Sequence, residues 1–203
     1  MSRNLFPYIL ILILSTSLCG CAQPKAVYSP PAYESQSLQP SVIVDRPLDL
    51  AWKGMVQYIA GTSFTIESIE KKSRLIILSF GTGQESEFIT GGEWELRSAE
   101  ADFFGDYVDY VTRYHNGRLK GKMNITMSEF GLNRTKVTFK ARYRFSSMAF
   151  MSNRRPVEQL WIFNTGECAS LTPDNSASGI PSKRTICPTG RAESTIMRAL
   201  NPL

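Results

Sequence analysis

Two long alternating segments limit what this chain can fold into more than any other feature of its sequence. From Arg118 to Met127 and from Thr135 to Phe145, charged or polar residues alternate with apolar ones. A period of two places alternate side chains on opposite faces of a β-strand. Each segment therefore predicts a strand with one buried and one solvent-facing side. A turn centred on Gly131-Leu132 would join the two strands as an antiparallel hairpin.

The register of this predicted hairpin brings like charges together. If the turn lies at Gly131-Leu132, Arg142 falls opposite Lys122 and Arg144 falls opposite Lys120. Like charges directly opposed on neighbouring strands destabilise a sheet. We therefore expect another group to offset them.

Two interpretations of this charged face remain open. In the first, acidic residues on another strand, such as Glu93 and Glu95, or simply solvent, neutralise the patch, because exposed charge is common and surface ion pairs contribute only about 0–1 kcal/mol. In the second, the face binds an anion or an acidic partner. The candidate binding residues are Arg118, Lys120, Lys122, Lys140, Arg142 and Arg144.

The remaining periodicity predicts helices at both ends of a strand-rich chain. Apolar residues recur at steps of three and four from Leu48 to Ala60, which predicts an amphipathic helix that carries Trp52 on its buried stripe and ends at Gly61. Residues 190–201 predict a short C-terminal helix. Further strands are expected at 41–44, 64–70, 74–80, around Trp94 and at 107–115, the last followed by an Asn116-Gly117 hairpin turn. The predicted fold class is α+β, an antiparallel β-sheet meander packed on an N-terminal helix.

The start of the chain has the order charge, apolar run, small residues, cysteine. Arg3 precedes the run from Leu5 to Leu14, and Leu18-Cys19-Gly20-Cys21 follows it. The run is too short for a spanning helix, which needs about 20 residues, and its flanks match an exported, cleaved segment. This order resembles a bacterial lipoprotein signal with its lipobox. The resemblance implies cleavage before Cys21 and acyl chains on Cys21, against the alternatives of an uncleaved anchor or a plain signal peptide.

The lipoprotein resemblance also implies a location and a domain plan. Ala22, rather than aspartate, follows Cys21, which resembles the sorting pattern for a bacterial outer membrane and implies a lipid-anchored protein that faces the periplasm. We expect a signal peptide at 1–20, a Pro/Ser-rich tether at 21–40 and a single α+β domain at 41–203. Removal of the signal leaves 22 basic and 18 acidic residues, a net charge of +4. In the periplasm, nucleic acid is not an expected partner.

Two cysteines remain once Cys19 is removed with the signal and Cys21 is lipidated. Cys168 and Cys187 form an even pair, which in an oxidising compartment predicts a disulfide. The segment between them, 169–181, is rich in turn-forming residues and has little core of its own, so a cross-link would hold this tail in place. His115 is the only histidine. We therefore expect neither a zinc site nor another metal or cofactor.

The order of elements also resembles a known arrangement. A strand at 42–44, a helix with Trp52 and a series of antiparallel strands are similar to the helix-grip domains of BamC-type lipoproteins, which belong to the outer-membrane barrel-assembly machine. The similarity covers roughly residues 41–145. It implies a helix-grip-like fold and a role beside partner proteins of the envelope.

The residues of this chain do not predict catalysis. His115 is the one possible base for a serine or cysteine nucleophile, and no Gly-x-Ser-x-Gly motif accompanies it. Asp102, Asp106 and Asp109 are interpreted as residues that solvate a loop. We expect a non-enzymatic scaffold or assembly factor that binds an envelope protein, with anionic lipid or lipopolysaccharide as a further partner. The alternatives are a carrier of a lipid or small apolar ligand between helix and sheet, and an envelope hydrolase in which His115 lies beside a serine and a carboxylate.

Overall fold

The structure, a computed structural model, describes residues 25–32, 41–97, 102–150, 156–172 and 183–200. Cys21 and the predicted signal peptide lie outside the described residues. The described chain is α+β and mostly antiparallel, with one helix near its N-terminal end and a short helix at its C-terminal end. The predicted fold class is confirmed.

The described residues form twelve strands and four helices. In chain order these are β1 (Lys25–Ser29), β2 (Ser41–Val44), α1 (Leu48–Ile59), β3 (Thr65–Glu70), β4 (Leu75–Phe80), α2 (Glu85–Phe88), β5 (Ile89–Thr90), β6 (Glu93–Arg97), β7 (Asp102–Asp106), α3 (Tyr107–Tyr114), β8 (Arg118–Glu129), β9 (Thr135–Phe150), β10 (Pro156–Asn164), β11 (Ala169–Leu171), β12 (Arg184–Pro188) and α4 (Arg191–Leu200).

The largest sheet is built around the β8–β9 hairpin. Its strand order is β10-β9-β8-β4-β3, and β2 pairs with the first residues of β9. The hairpin register runs from Arg118 opposite Ser146 to Glu129 opposite Thr135. The backbone N–H of Phe130 donates to the carbonyl of Arg134 at 2.8 Å and closes the turn. The predicted hairpin and its turn are confirmed.

Two helices cover one face of this sheet. Helix α1 contacts α4 and β8, and α4 contacts β9. The buried stripe of α1 includes Trp52 and Met55, as its helical periodicity predicts. Under the helices, the inward side chains of β9 are fully buried, and the Tyr143 hydroxyl donates to the Glu193 carboxylate of α4 at 2.9 Å. This bond attaches the C-terminal helix to the centre of the sheet.

Two small sheets lie outside the main one. The first has the order β1-β6-β7, and the second has the order β11-β12-β5. The predicted meander is therefore divided, because β5, β6 and β7 leave the main sheet and the chain returns to it only at β8. Helix α3 contacts β5, β6 and β7 and makes the connection to β8.

Residues 107–114 form helix α3, so the strand predicted at 107–115 is wrong. The Asp106 side chain accepts a hydrogen bond from the backbone N–H of Val108 at 2.7 Å and caps the helix. The Tyr- and Val-rich composition favours a strand locally, but Tyr107, Val108 and Val111 bury one side of the helix in the core. Asn116-Gly117 ends this helix instead of forming a hairpin, and the Gly117 N–H donates to the Val111 carbonyl at 3.0 Å.

Part of the predicted tether belongs to the folded body. Residues 25–29 form β1 and pair antiparallel with β6, from Lys25 opposite Arg97 to Ser29 opposite Glu93. The prediction of a solvated linker is wrong for this segment, because its backbone groups pair with a strand about 70 residues away in the sequence. Residues 21–24 and 33–40 of the predicted tether lie outside the described residues.

The predicted disulfide is present. Cys168 and Cys187 are bonded, with their Cα atoms 4.3 Å apart. The bond links the start of β11 to β12, and β12 pairs in turn with β5. The cross-link therefore ties the C-terminal tail to the body of the protein.

Removal of this disulfide should lower stability. Closing a loop of 19 residues constrains the unfolded chain by about 3 kcal/mol in the chain-entropy model. The double variant Cys168→Ala/Cys187→Ala should therefore lose about 3 kcal/mol of unfolding free energy in urea titrations. The wild type in excess reductant should match the variant. Equal stability with and without the disulfide would show that the cross-link does not stabilise the fold.

Candidate functional site

The outer side of the β8–β9 hairpin is a basic surface. Its six cationic side chains are exposed, whereas the residues between them, such as Met123 and Phe139, are fully buried. Both covering helices pack on the buried side, so this outer side faces solvent. We call it the basic face; it consists of Arg118, Lys120 and Lys122 on β8 and Lys140, Arg142 and Arg144 on β9.

The like charges of the basic face lie directly opposite one another. Lys122 pairs in register with Arg142, and Lys120 pairs with Arg144, as the sequence predicts. Opposed side chains on adjacent strands have Cβ atoms about 4.5–5.5 Å apart. Both pairs therefore destabilise the hairpin that carries them.

One carboxylate partly offsets this repulsion. The register of β3 shifts between Ile66 and Ser68, and the additional residue, Glu67, forms an ion pair with Lys122 at 2.8 Å. The hydrogen bond from Lys122 lowers the pKa of Glu67. Over the described part of the chain, the other five cations of the basic face have no carboxylate within 4.0 Å.

Glu93 and Glu95, the acidic residues suggested by the sequence, lie elsewhere, and Glu67 of β3 is the acidic partner of Lys122 instead. Glu93 and Glu95 are on β6, in the small sheet with β1 and β7. Glu95 forms an ion pair with Arg97 of the same strand at 2.7 Å. The sequence does not reveal Glu67 as the actual partner, because the irregularity of β3 that positions it depends on pairing with β4.

A second cluster surrounds a buried arginine. Arg184 of β12 is only 5% exposed, and its guanidinium lies 4.7 Å from the ring centroid of Trp94 and 5.4 Å from those of Tyr28 and Tyr107. Its Nε and Nη1 atoms have no hydrogen-bond partner among the described residues. Cation–π attraction from three rings therefore stabilises this charge in place of a carboxylate. Burial also raises the pKa of Tyr107 to about 12, although the Arg184 charge opposes this effect.

Tyr28 links strand β1 to this cluster. Its hydroxyl accepts a hydrogen bond from the Thr185 backbone N–H at 2.8 Å and donates to the Thr185 carbonyl at 3.1 Å. Sequence reasoning missed the whole cluster, because its members come from β1, β6, α3 and β12 and show no shared motif. The cluster holds the N-terminal strand against the disulfide-bonded strand.

The hydroxyl of Tyr28 should contribute measurably to stability. In Tyr28→Phe the ring and its contact with Arg184 are retained, but the backbone N–H and carbonyl of Thr185 lose their side-chain partner. These bonds are partly buried, and a typical intramolecular hydrogen bond contributes about 0.5–1.5 kcal/mol, so urea denaturation should show a loss in that range. Tyr114→Phe is the control, because Tyr114 is 46% exposed. A Tyr28→Phe protein as stable as the control would contradict this role.

His115 does not lie in a catalytic arrangement within the described ranges. Its Nε2 atom is 3.2 Å from the Tyr110 hydroxyl, and no serine or carboxylate bonds to its ring. Burial lowers the pKa of His115, with a smaller opposing effect from the Met148 backbone. Asp106 caps α3, whereas Asp102 and Asp109 line an open surface groove of about 740 Å³.

The lowered pKa of His115 predicts a pH effect on stability. The unfolded state takes up the proton near the ordinary value of 6.5, whereas the folded state takes it up only at lower pH. This contribution to stability is fully present above pH 6.5 and is lost as the pH falls through the lower pKa of the folded state. His115→Gln should therefore show a smaller decrease in melting temperature than the wild type between pH 7 and pH 5. Parallel curves for the two proteins would contradict the prediction.

The described residues contain neither a metal-binding cluster nor a membrane-spanning helix. No group of three or more His, Cys, Asp or Glu side chains there is arranged to hold a metal ion. No helix of the described residues is long and apolar enough to cross a membrane. Comparisons with protein-family models, with curated proteins and with solved structures found no match to this chain.

Proposed function

We propose that this chain is a lipid-anchored, non-enzymatic protein of the bacterial envelope that binds an acidic partner protein through the basic face. The observation that carries the proposal is the uncovered outer side of the β8–β9 hairpin. Five of its six cations have no carboxylate partner among the described residues, and two pairs of like charges oppose each other. Their repulsion costs stability in the isolated protein and is relieved when an acidic surface lies over them.

The chemistry of the basic face suits a protein surface. Arginine presents a planar fork that matches carboxylate geometry, and Arg142 and Arg144 provide two such groups on one strand. Small polar residues of the neighbouring strands lie in register with the cations, including Ser79 beside Lys122 and Asn124 beside Lys140. A broad sheet surface with cations and small hydrogen-bonding groups fits a docked domain. This arrangement supports a scaffold or assembly role.

The packed interior favours a protein that binds partners at its surface over one that carries a ligand in a cavity. The helix-facing side of the sheet is filled by Phe139, Tyr143, Phe145 and Trp161, each fully buried. The Tyr143 ring stacks on that of Phe163 at 5.1 Å, and Phe80 contacts Tyr143 edge to face. A carrier needs a cavity of ligand size in this position, whereas here the aromatic side chains pack against one another.

The anchor is proposed from the lipobox at Cys21, with the outer membrane as its site and the periplasm as the compartment that the domain faces. The Cys168–Cys187 disulfide supports a periplasmic location, because disulfides persist in oxidising compartments. The surroundings of His115 support a non-enzymatic role, since its nearest polar partner is the Tyr110 hydroxyl.

Neutralising the basic face tests the proposal. We expect Lys140→Gln/Arg142→Gln/Arg144→Gln to fold at least as stably as the wild type, because the substitutions remove both like-charge pairs. Cross-linking of intact cells, followed by purification, should recover an acidic protein with the wild type. If each cation contributes about 1 kcal/mol to binding, the triple variant should recover at least about 10-fold less.

The matched control removes the same charge elsewhere. Lys53→Gln/Lys71→Gln/Lys72→Gln changes three exposed lysines on α1 and the β3–β4 turn, and we expect it to recover the partner at the wild-type level. Undiminished recovery with the basic-face variant would overturn the proposal. Recovery of no protein, with charge-dependent binding to vesicles of phosphatidylglycerol or lipopolysaccharide, would show that the face binds lipid instead.

A further inference from the structure

Strand β1 begins only four residues after the proposed lipidation site. Lys25 is its first residue, and Cys21 precedes it by four positions. An extended chain spans at most about 3.6 Å per residue, so these four steps reach at most about 14 Å. The structure therefore restricts how far a lipid on Cys21 can lie from the folded body.

Several contacts attach β1 to that body. All five of its residues pair with β6, and the Tyr28 hydroxyl bonds to both backbone groups of Thr185. The Tyr28 ring also contacts Arg184 and Trp94. Because β1 is fixed in this way, the sheet that contains it must lie beside the membrane whenever the lipid is inserted.

The outer face of this sheet carries exposed apolar side chains. Val27, Glu95 and Phe104 lie in one row across β1, β6 and β7. Phe104 is 75% exposed and Val27 is 44% exposed, whereas Tyr28 and Trp94 point inward. We call Val27 and Phe104 the apolar row. Glu95, between them, forms an ion pair with Arg97, which offsets its charge.

We propose that the apolar row rests on the lipid bilayer, with the Phe104 ring in the interfacial region. This inference deepens the proposed function and depends on lipidation at Cys21. The four chain steps from Cys21 to Lys25 identify the bilayer as the occupant, because they keep this sheet near the lipid on Cys21. Burial of the Phe104 ring at the membrane interface then adds to the membrane affinity that the lipid provides.

A second exposed apolar site serves as a comparison. Leu132, in the β8–β9 turn, is 91% exposed. Its exposure exceeds that of Phe104, but no short segment ties this turn to Cys21. The inference therefore assigns the membrane contact to Phe104 and not to Leu132.

Quenching by brominated lipid tests this assignment. The full-length lipidated protein is reconstituted into phosphatidylethanolamine–phosphatidylglycerol vesicles with or without brominated acyl chains. The variants are Phe104→Trp, Leu132→Trp and Lys72→Trp, each compared with the parent protein, whose Trp52, Trp94 and Trp161 are buried. We expect the Phe104→Trp protein to lose most of its added emission in brominated vesicles, and the other two to keep theirs.

The outcomes separate this inference from the proposal on which it depends. Vesicle flotation and intact mass report the anchor directly, with Cys21→Ser as the control. If the protein is anchored but the Phe104→Trp protein is not quenched more than the Lys72→Trp protein, the inference alone is overturned. Quenching confined to the Leu132→Trp protein also overturns it. If Cys21→Ser floats as well as the wild type, both the anchor and this inference fail.

Discussion

The pairing of β8 with β9 determines which side chains enter the core and which form the basic face. Its register places Ile125 opposite Phe139 on the helix side and Lys122 opposite Arg142 on the solvent side. A slip by one residue would exchange these faces and bury the cations. The hydrophobic core and the basic face are thus two consequences of one register. Selection for the core alone would not require opposed cations on the outer side, and this supports a binding role for them.

The N-terminal strand and the C-terminal tail stabilise each other on a different part of the molecule. Tyr28 of β1 bonds to Thr185 of β12, and three aromatic rings surround Arg184. The Cys168–Cys187 disulfide holds β12 in turn. The strand nearest to the proposed lipid is therefore part of the rigid body. In this account the protein is held close to its membrane, and the basic face on the main sheet is presented to partners.

The elements with a clear hydrophobic periodicity of their own were predicted correctly from the sequence. The alternation in β8 and β9 gave the hairpin and its register, and the three- and four-residue spacing around Trp52 gave α1. Elements that depend on contacts with residues distant in the sequence were either missed or predicted incorrectly. The Asp106 cap and core packing make α3 a helix despite its Tyr-rich composition. Strand β1 forms because its backbone pairs with β6 and its Tyr28 side chain bonds to β12. The Glu67 bulge depends on the pairing of β3 with β4. The Arg184 cluster joins four elements, which no single segment reveals.

Photo-cross-linking in intact cells can show whether the basic face is the surface that contacts a partner. Asn124 lies on this face opposite Lys140, and Lys53 is exposed on α1. A benzophenone amino acid replaces each residue in turn. The probe at position 124 should capture one discrete acidic protein, and the probe at position 53 should not. Capture from position 53 alone, or capture of the same protein equally from both positions, would show that the basic face is not the binding surface.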